Sequence, residues 1–140
     1  METGGPDMKD PDATNQMWKG LLVDHIGMRF IETGPDRVVA EMEIRDQLRT
    51  LSGVLHGGAL MALADAAGGT ATLLNLPEGV GTATIESKTN FFAAGKGGKV
   101  RAETTPLHKG RSTMVWQTRV TDESGKLLTL TIQTQAILRK

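Results

Sequence analysis

No cysteine occurs in the 140-residue chain, which removes disulfides, thiolate metal sites and cysteine nucleophiles together and fits a reducing cytoplasm. Net charge is missing as well. Sixteen lysines and arginines offset sixteen aspartates and glutamates, so the overall field favours neither nucleic acid nor an anionic membrane as the main partner. The opening METGGPDMKDPDATN has no apolar run of the kind a secretion signal needs, and Met1 to Ala13 reads as a loose tail ahead of one domain over residues 14–140. The longest weakly charged stretch, Ala59 to Leu76, contains Asp65, Asn75, two glycines and two threonines, and so reads as a helix of a soluble protein rather than a membrane span. His25, His56 and His108 stand far apart without HxxxH or HxH spacing, and neither Ser52 nor Ser112 lies in a GxSxG turn. No metal site and no serine nucleophile is expected from these spacings.

What remains is periodicity. Thr14 or Asn15 can cap an amphipathic helix through Met17, Trp18, Leu21, Leu22 and His25, which Gly27 can end. Met28 to Thr33 and the alternating Val38, Ala40, Met42 and Ile44 predict a hairpin around Gly34-Pro35-Asp36. From Thr50 to Pro77 Asp65 is the only formally charged residue, and the leucine- and alanine-rich run predicts a helix from about Gly57 to about Asn75, buried on nearly all sides. Four strands follow, over 83–92, 99–107, 113–121 and 127–138, separated by glycine-rich loops. One apolar helix needs cover, and a single curved antiparallel sheet wrapped around it is the simplest cover that a chain of this length can provide. The fold class is therefore α+β.

A lone carboxylate in an apolar helix costs several kcal/mol, on the order expected of buried ions, unless it is paired or kept protonated. Asp65 is accordingly the leading functional residue, with a satisfied core polar group as the alternative. At the expected helix start, His56-Gly57-Gly58 can offer free backbone N–H groups and the positive end of the helix dipole to developing negative charge. A plain loop-to-helix junction would explain two glycines equally. Gly68 and Gly69 fall close to the Asp65 face and either leave space beside the carboxylate or allow close helix packing. His56 and Asp65 are nine positions apart, which at ~100° and 1.5 Å per residue sets them on opposite sides of one helix with ~13 Å of rise between them. If both serve one reaction, a second copy must supply one of them, as a two-fold dimer does.

The run Gly53-Val54-Leu55-His56-Gly57-Gly58, continuing to Asp65, resembles the HGG-to-Asp motif of the PaaI-like hot-dog thioesterases, and Ala83 to Phe91 is similar to the strand that follows that helix in the family. The resemblance implies a hot-dog fold and an acyl-CoA thioesterase acting on a small aryl- or fatty-acyl-CoA. It implies Asp65 as general base or nucleophile, Gly57 as the amide that polarises the thioester carbonyl from the facing subunit, His56 as a residue shaping that pocket, and Thr84 as a helper in positioning water. Gly58, Gly68 and Gly69 would lie along the substrate. Thr50 stands where many members carry an asparagine, and its hydroxyl has a shorter reach. No cofactor is implied, since CoA is part of the substrate. Its phosphates call for basic residues, for which Lys88 and Arg111 are chosen from the cluster Lys88, Lys96, Lys99, Arg101, Lys109 and Arg111. A homodimer, and beyond it a homotetramer, is expected, with no nucleic-acid partner and no membrane insertion. The rival readings are a hot-dog hydratase or dehydratase and a non-catalytic acyl-CoA-binding regulator.

Overall fold

The computed structural model describes residues 7–140. Six strands form one antiparallel sheet in the order β1-β2-β4-β5-β6-β3: β1 Met28–Thr33, β2 Val38–Glu43, β3 Gly81–Phe91, β4 Lys99–Lys109, β5 Thr113–Thr121 and β6 Leu127–Leu138. Helix α3, Gly57–Leu73, packs on the inner face of that sheet. This is the hot-dog arrangement, and the four strands after the helix fall within two residues of their expected ends.

The entry region departs from expectation. Two short helices, α1 Pro11–Met17 and α2 Leu22–His25, replace the single one expected from Thr14 or Asn15 to His25. Asp10 is the cap, its carboxylate accepting from the Asp12 N–H at 3.0 Å, and Pro11 is suited to the first helical position because it lacks a donor there. Gly20 at φ +80° sits in the break between the two helices, a left-handed conformation that side chains disfavour. The tail expected over Met1 to Ala13 therefore contains the start of α1, while residues 1–6 lie outside the described part. Asn15 does not cap; its amide brackets Phe30, accepting from the backbone N–H at 2.8 Å and donating to the carbonyl at 3.0 Å, which docks α1 on β1.

The core lies between sheet and helix, where Phe30, Val38, Ala40, Met42, Leu63, Ala67, Ala71, Val100, Trp116 and Leu128 are buried. On β6 the inward residues are polar: Thr129, Thr131, Gln133 and Gln135 are buried, while Ile132 and Leu138 are exposed. The contact that makes this possible is at Gly68, where a Cβ would stand 2.4 Å from the Gln133 amide carbon. Nor is α3 enclosed on all sides. Gly58, Met61 and Asp65 are exposed in a stripe at helical spacing, because one sheet covers only one side of a helix.

Helix and sheet are also tied by a polar chain. The Trp116 indole N–H donates to Thr72 Oγ1 at 2.8 Å, and that hydroxyl donates to the Gly68 carbonyl at 2.9 Å, all three residues being buried. Thr72→Val keeps the shape and leaves the indole N–H without its acceptor, so unfolding free energy is expected to fall by about 1–3 kcal/mol. A urea or guanidinium midpoint unchanged from the parent chain would contradict this.

Candidate active site

Asp65 lies in the third turn of α3 on its exposed side. Its Oδ1 accepts from Thr84 Oγ1 on β3 at 2.8 Å and from Gln133 Nε2 on β6 at 3.2 Å. Thr84 in turn accepts from Gln135 Nε2 at 2.7 Å, and Gln135 Oε1 accepts from Thr82 Oγ1 at 3.0 Å. The carboxylate is thus not stranded in apolar surroundings, as its helix composition suggests, but hydrogen-bonded on one oxygen and open to the surface. Thr84, expected as a helper in positioning water, stands against the carboxylate itself. Gln133 and Gln135, absent from the residues singled out by sequence, complete the network.

The second half of the site is the start of α3. His56 is its N-cap, with Nδ1 accepting from the Gly58 N–H at 2.8 Å, which leaves Nε2 to carry the ring hydrogen. The His56 N–H donates to the Leu48 carbonyl at 2.8 Å. Gly57 N–H finds no acceptor among the described residues and points out of the helix end, where the dipole favours negative charge. A Cβ on Gly57 would stand 3.0 Å from the half-exposed Phe91 ring, so glycine here admits the ring beside the amide. Arg49 braces this corner: one guanidinium nitrogen donates to the Gly53 and Lys96 carbonyls at 2.7 and 2.8 Å, joining the loop before His56 to the loop after β3. Between α2 and the α3 start lies a groove of about 360 Å³, lined by Leu22, Ile26, Ala59 and Ala62 beside His56 and Gly58.

The other expected residues divide. Gly69 has open space where a side chain would be, but Gly68 is packed against Gln133 and gives no passage. Thr50 Oγ1 lies 2.9 Å from Ser52 Oγ inside a tight turn closed by Thr50 N–H to Val54 O at 2.8 Å, with Leu51 fully exposed at its tip. Lys88 and Arg111 are exposed on β3 and in the β4–β5 turn. Three of the other cations are engaged: Lys99 and Arg101 pair with Glu41, and Lys109 is held by Asp36, Asn75 and the face of Trp116. Among the described residues no group of three or more His, Cys, Asp or Glu side chains is arranged to hold a metal ion, and no helix is long and apolar enough to cross a membrane.

A carboxylate presented by one oxygen and a free amide at a helix start are the parts that acyl transfer requires. The sequence profile of the thioesterase superfamily matches residues 52–129, the stretch that holds both. The chain belongs to that superfamily. It is 33% identical over 127 residues to the 1,4-dihydroxy-2-naphthoyl-CoA hydrolase of Escherichia coli K12, covering 91% of this chain and 93% of that protein. A thioesterase crystal structure from Haemophilus influenzae superposes with a TM-score of 0.91 at 30% identity, covering 96% of this chain and 94% of that one. The phenylacetic acid degradation protein PaaI from Thermus thermophilus superposes with a TM-score of 0.75 at 27% identity, over 81% and 96% of the two chains. The protein is therefore a PaaI-like hot-dog thioesterase, an enzyme that hydrolyses thioesters. Within this one thioesterase chain, however, Asp65 and the Gly57 amide lie on different parts of α3, and the apolar groove beside Gly58 does not include Asp65.

Proposed function

We propose that the protein is a cytoplasmic acyl-CoA thioesterase whose two equivalent sites span a two-fold homodimer, each combining Asp65 of one subunit with the Gly57 amide of the other. The observation that carries this reading is the pairing of an anchored, surface-facing carboxylate with an unpaired helix-terminal N–H that the same chain cannot bring to it. The exposed stripe Gly58, Met61 and Asp65 adjoins β3, an eleven-residue edge strand with Ile85 exposed, and both call for cover by a second copy. Outward Ile132 and Leu138 favour a further pairing of dimers into a tetramer.

In this reading the Gly57 N–H holds the thioester oxygen, and the helix dipole favours the charge that grows on it. Asp65 takes a proton from water as the water oxygen attacks the carbonyl carbon. The tetrahedral oxyanion collapses, the carbon–sulfur bond breaks, and the leaving CoA thiolate takes up a proton while the acid is released. Direct attack by Asp65, giving an acyl-enzyme anhydride that water then opens, uses the same atoms. His56 keeps the amide corner in place through Gly58, and Lys88 and Arg111 meet the CoA phosphates. The groove of Leu22, Ile26, Ala59 and Ala62 and the Phe91 ring beside Gly57 support an apolar acyl group, and the substrate named for the Escherichia coli relative is an aromatic acyl-CoA.

Aromatic, short-chain and long-chain acyl-CoAs, assayed for free thiol release, test the reading. Turnover with the highest kcat/KM on an aromatic acyl-CoA is expected. Binding of these compounds without any thiol release would leave the regulator reading in its place.

A further inference from the structure

We propose that Gln133 is the positioning residue for Asp65: its amide and the Thr84 hydroxyl lock Oδ1, so that Oδ2 is the oxygen presented to the reaction. This rests on the reading of Asp65 as the acting carboxylate and goes beyond it by naming what aims it.

Two rotatable bonds separate the Asp65 carboxylate from α3, and a lone exposed aspartate would sample several orientations. Here two donors from different strands converge on one oxygen, Thr84 Oγ1 at 2.8 Å and Gln133 Nε2 at 3.2 Å. No donor among the described residues reaches Oδ2. An ionised carboxylate only accepts, so the links behind it must run in one direction, and they do: Gln135 amide to Thr84, then Thr84 hydroxyl to Asp65, with the Thr82 hydroxyl sharing its one hydrogen between the Ala136 carbonyl at 2.8 Å and Gln135 Oε1 at 3.0 Å. The same rule sets the Gln133 amide with its nitrogen toward the carboxylate.

The price of this arrangement identifies its purpose. Gln133 and Gln135 are 0% and 1% exposed, at inward positions where leucine or methionine would bury apolar surface without a polar atom to satisfy. Gln133 Oε1 has no hydrogen-bond partner among the described residues, so the side chain is a poor choice for stability alone. The helix also yields to it. At Gly68 a Cβ would lie 2.4 Å from the amide carbon and oxygen of Gln133 and 2.7 Å from its nitrogen, closer than real contacts allow. A glycine inside a helix costs roughly 0.5–1 kcal/mol relative to alanine. Gly68 and Gln133 therefore form one device: the missing side chain on α3 admits an amide from β6 that would otherwise be held away from Asp65.

The experiment uses the full chain in its native assembly with benzoyl-CoA and a thiol reagent, comparing Gln133→Met, Gly68→Ala, Gln133→Ala and the double variant Gly68→Ala/Gln133→Ala. Gln133→Met keeps length and removes the donor; kcat is expected to fall about 10- to 100-fold, the scale on which misplaced catalytic groups act, with KM within about twofold. Its unfolding midpoint should be unchanged or raised, which separates aiming from mere packing. Gly68→Ala should lower kcat comparably in the parent chain and have no further effect once Gln133→Ala has removed the amide, because both changes break the same contact. Parent-like kcat in Gln133→Met, or full additivity of Gly68→Ala with Gln133→Ala, overturns the inference. If Gln133→Met fails to fold, the Gly68→Ala pair of measurements decides alone. Parallel Asp65→Ala keeps the two readings apart: its inactivity beside an active Gln133→Met defeats only the positioning role, whereas an active Asp65→Ala defeats the role of Asp65 itself.

Discussion

Asp65→Ala is expected to lower kcat by about 10²–10⁴-fold, the range lost when a general base or nucleophile is removed, while the chain keeps its fold and assembly. The structural cost is small because Asp65 is exposed on α3 and alanine is the best helix former. What the substitution removes is an acceptor: exposed Thr84 can turn to water, while buried Gln133 keeps only the Asp65 carbonyl at 3.5 Å, a loss of about 1 kcal/mol that lowers the unfolding midpoint slightly without unfolding the chain. Asp65→Asn sharpens the interpretation. Its side-chain oxygen can still accept from Thr84 and Gln133, so the geometry persists while the charge and basicity are gone. Equal loss in the two variants assigns the effect to chemistry, and a surviving Asp65→Asn would assign it to shape. Initial rates of thiol release, with circular dichroism and gel filtration on the same samples, read all of this. Parent-like turnover in Asp65→Ala would remove the carboxylate from the mechanism.

Much of the architecture was legible because strands announce themselves by alternation and loops by glycine. The strands expected over 99–107 and 113–121 are readable on those grounds, the first running two residues further to Lys109. The entry helix departs from its pattern because its cap, Asp10 with Pro11, sits inside a segment whose composition suggests a tail, and because Gly20 interrupts an otherwise continuous apolar pattern. The setting of Asp65 escaped for a different reason. In a helix made of alanine, leucine and glycine every face looks apolar, so composition cannot say which face the sheet leaves open. Gln133 and Gln135 were the least visible. They lie on the polar side of an alternating strand, and alternation alone does not say which side meets α3; the space left at Gly68 and the Thr82 and Thr84 hydroxyls of β3 receive them. Gln133 reaches Asp65 directly and Gln135 reaches it through Thr84, from 68 and 70 positions away, a juxtaposition that only strand order produces. Gly68 carried the one available signal, a helix-interior glycine three residues after the acid.

Complementation tests the shared site most directly, and Gly57→Pro is the partner variant that the structure favours. Proline suits a first helical position, and His56 already has the extended backbone, φ −66° and ψ 134°, that a following proline requires. The substitution thus deletes the N–H proposed to hold the oxyanion, and the half-exposed Phe91 ring has room to give way to the added carbons. Loss of such a donor lowers kcat by about 10²–10³-fold. Asp65→Ala and Gly57→Pro are then each nearly inactive, but a hybrid dimer holds one site with both native groups and one with neither. Equal mixing with free subunit exchange makes half of the dimers hybrids, so about a quarter of all sites become native and about a quarter of parent activity returns. A site contained in one subunit gives no recovery under any mixing ratio. Exchange is verified by mass-tagged subunits in the same samples, and an inactive mixture of demonstrated hybrids would return both groups to a single chain, where nine residues of helix keep them apart.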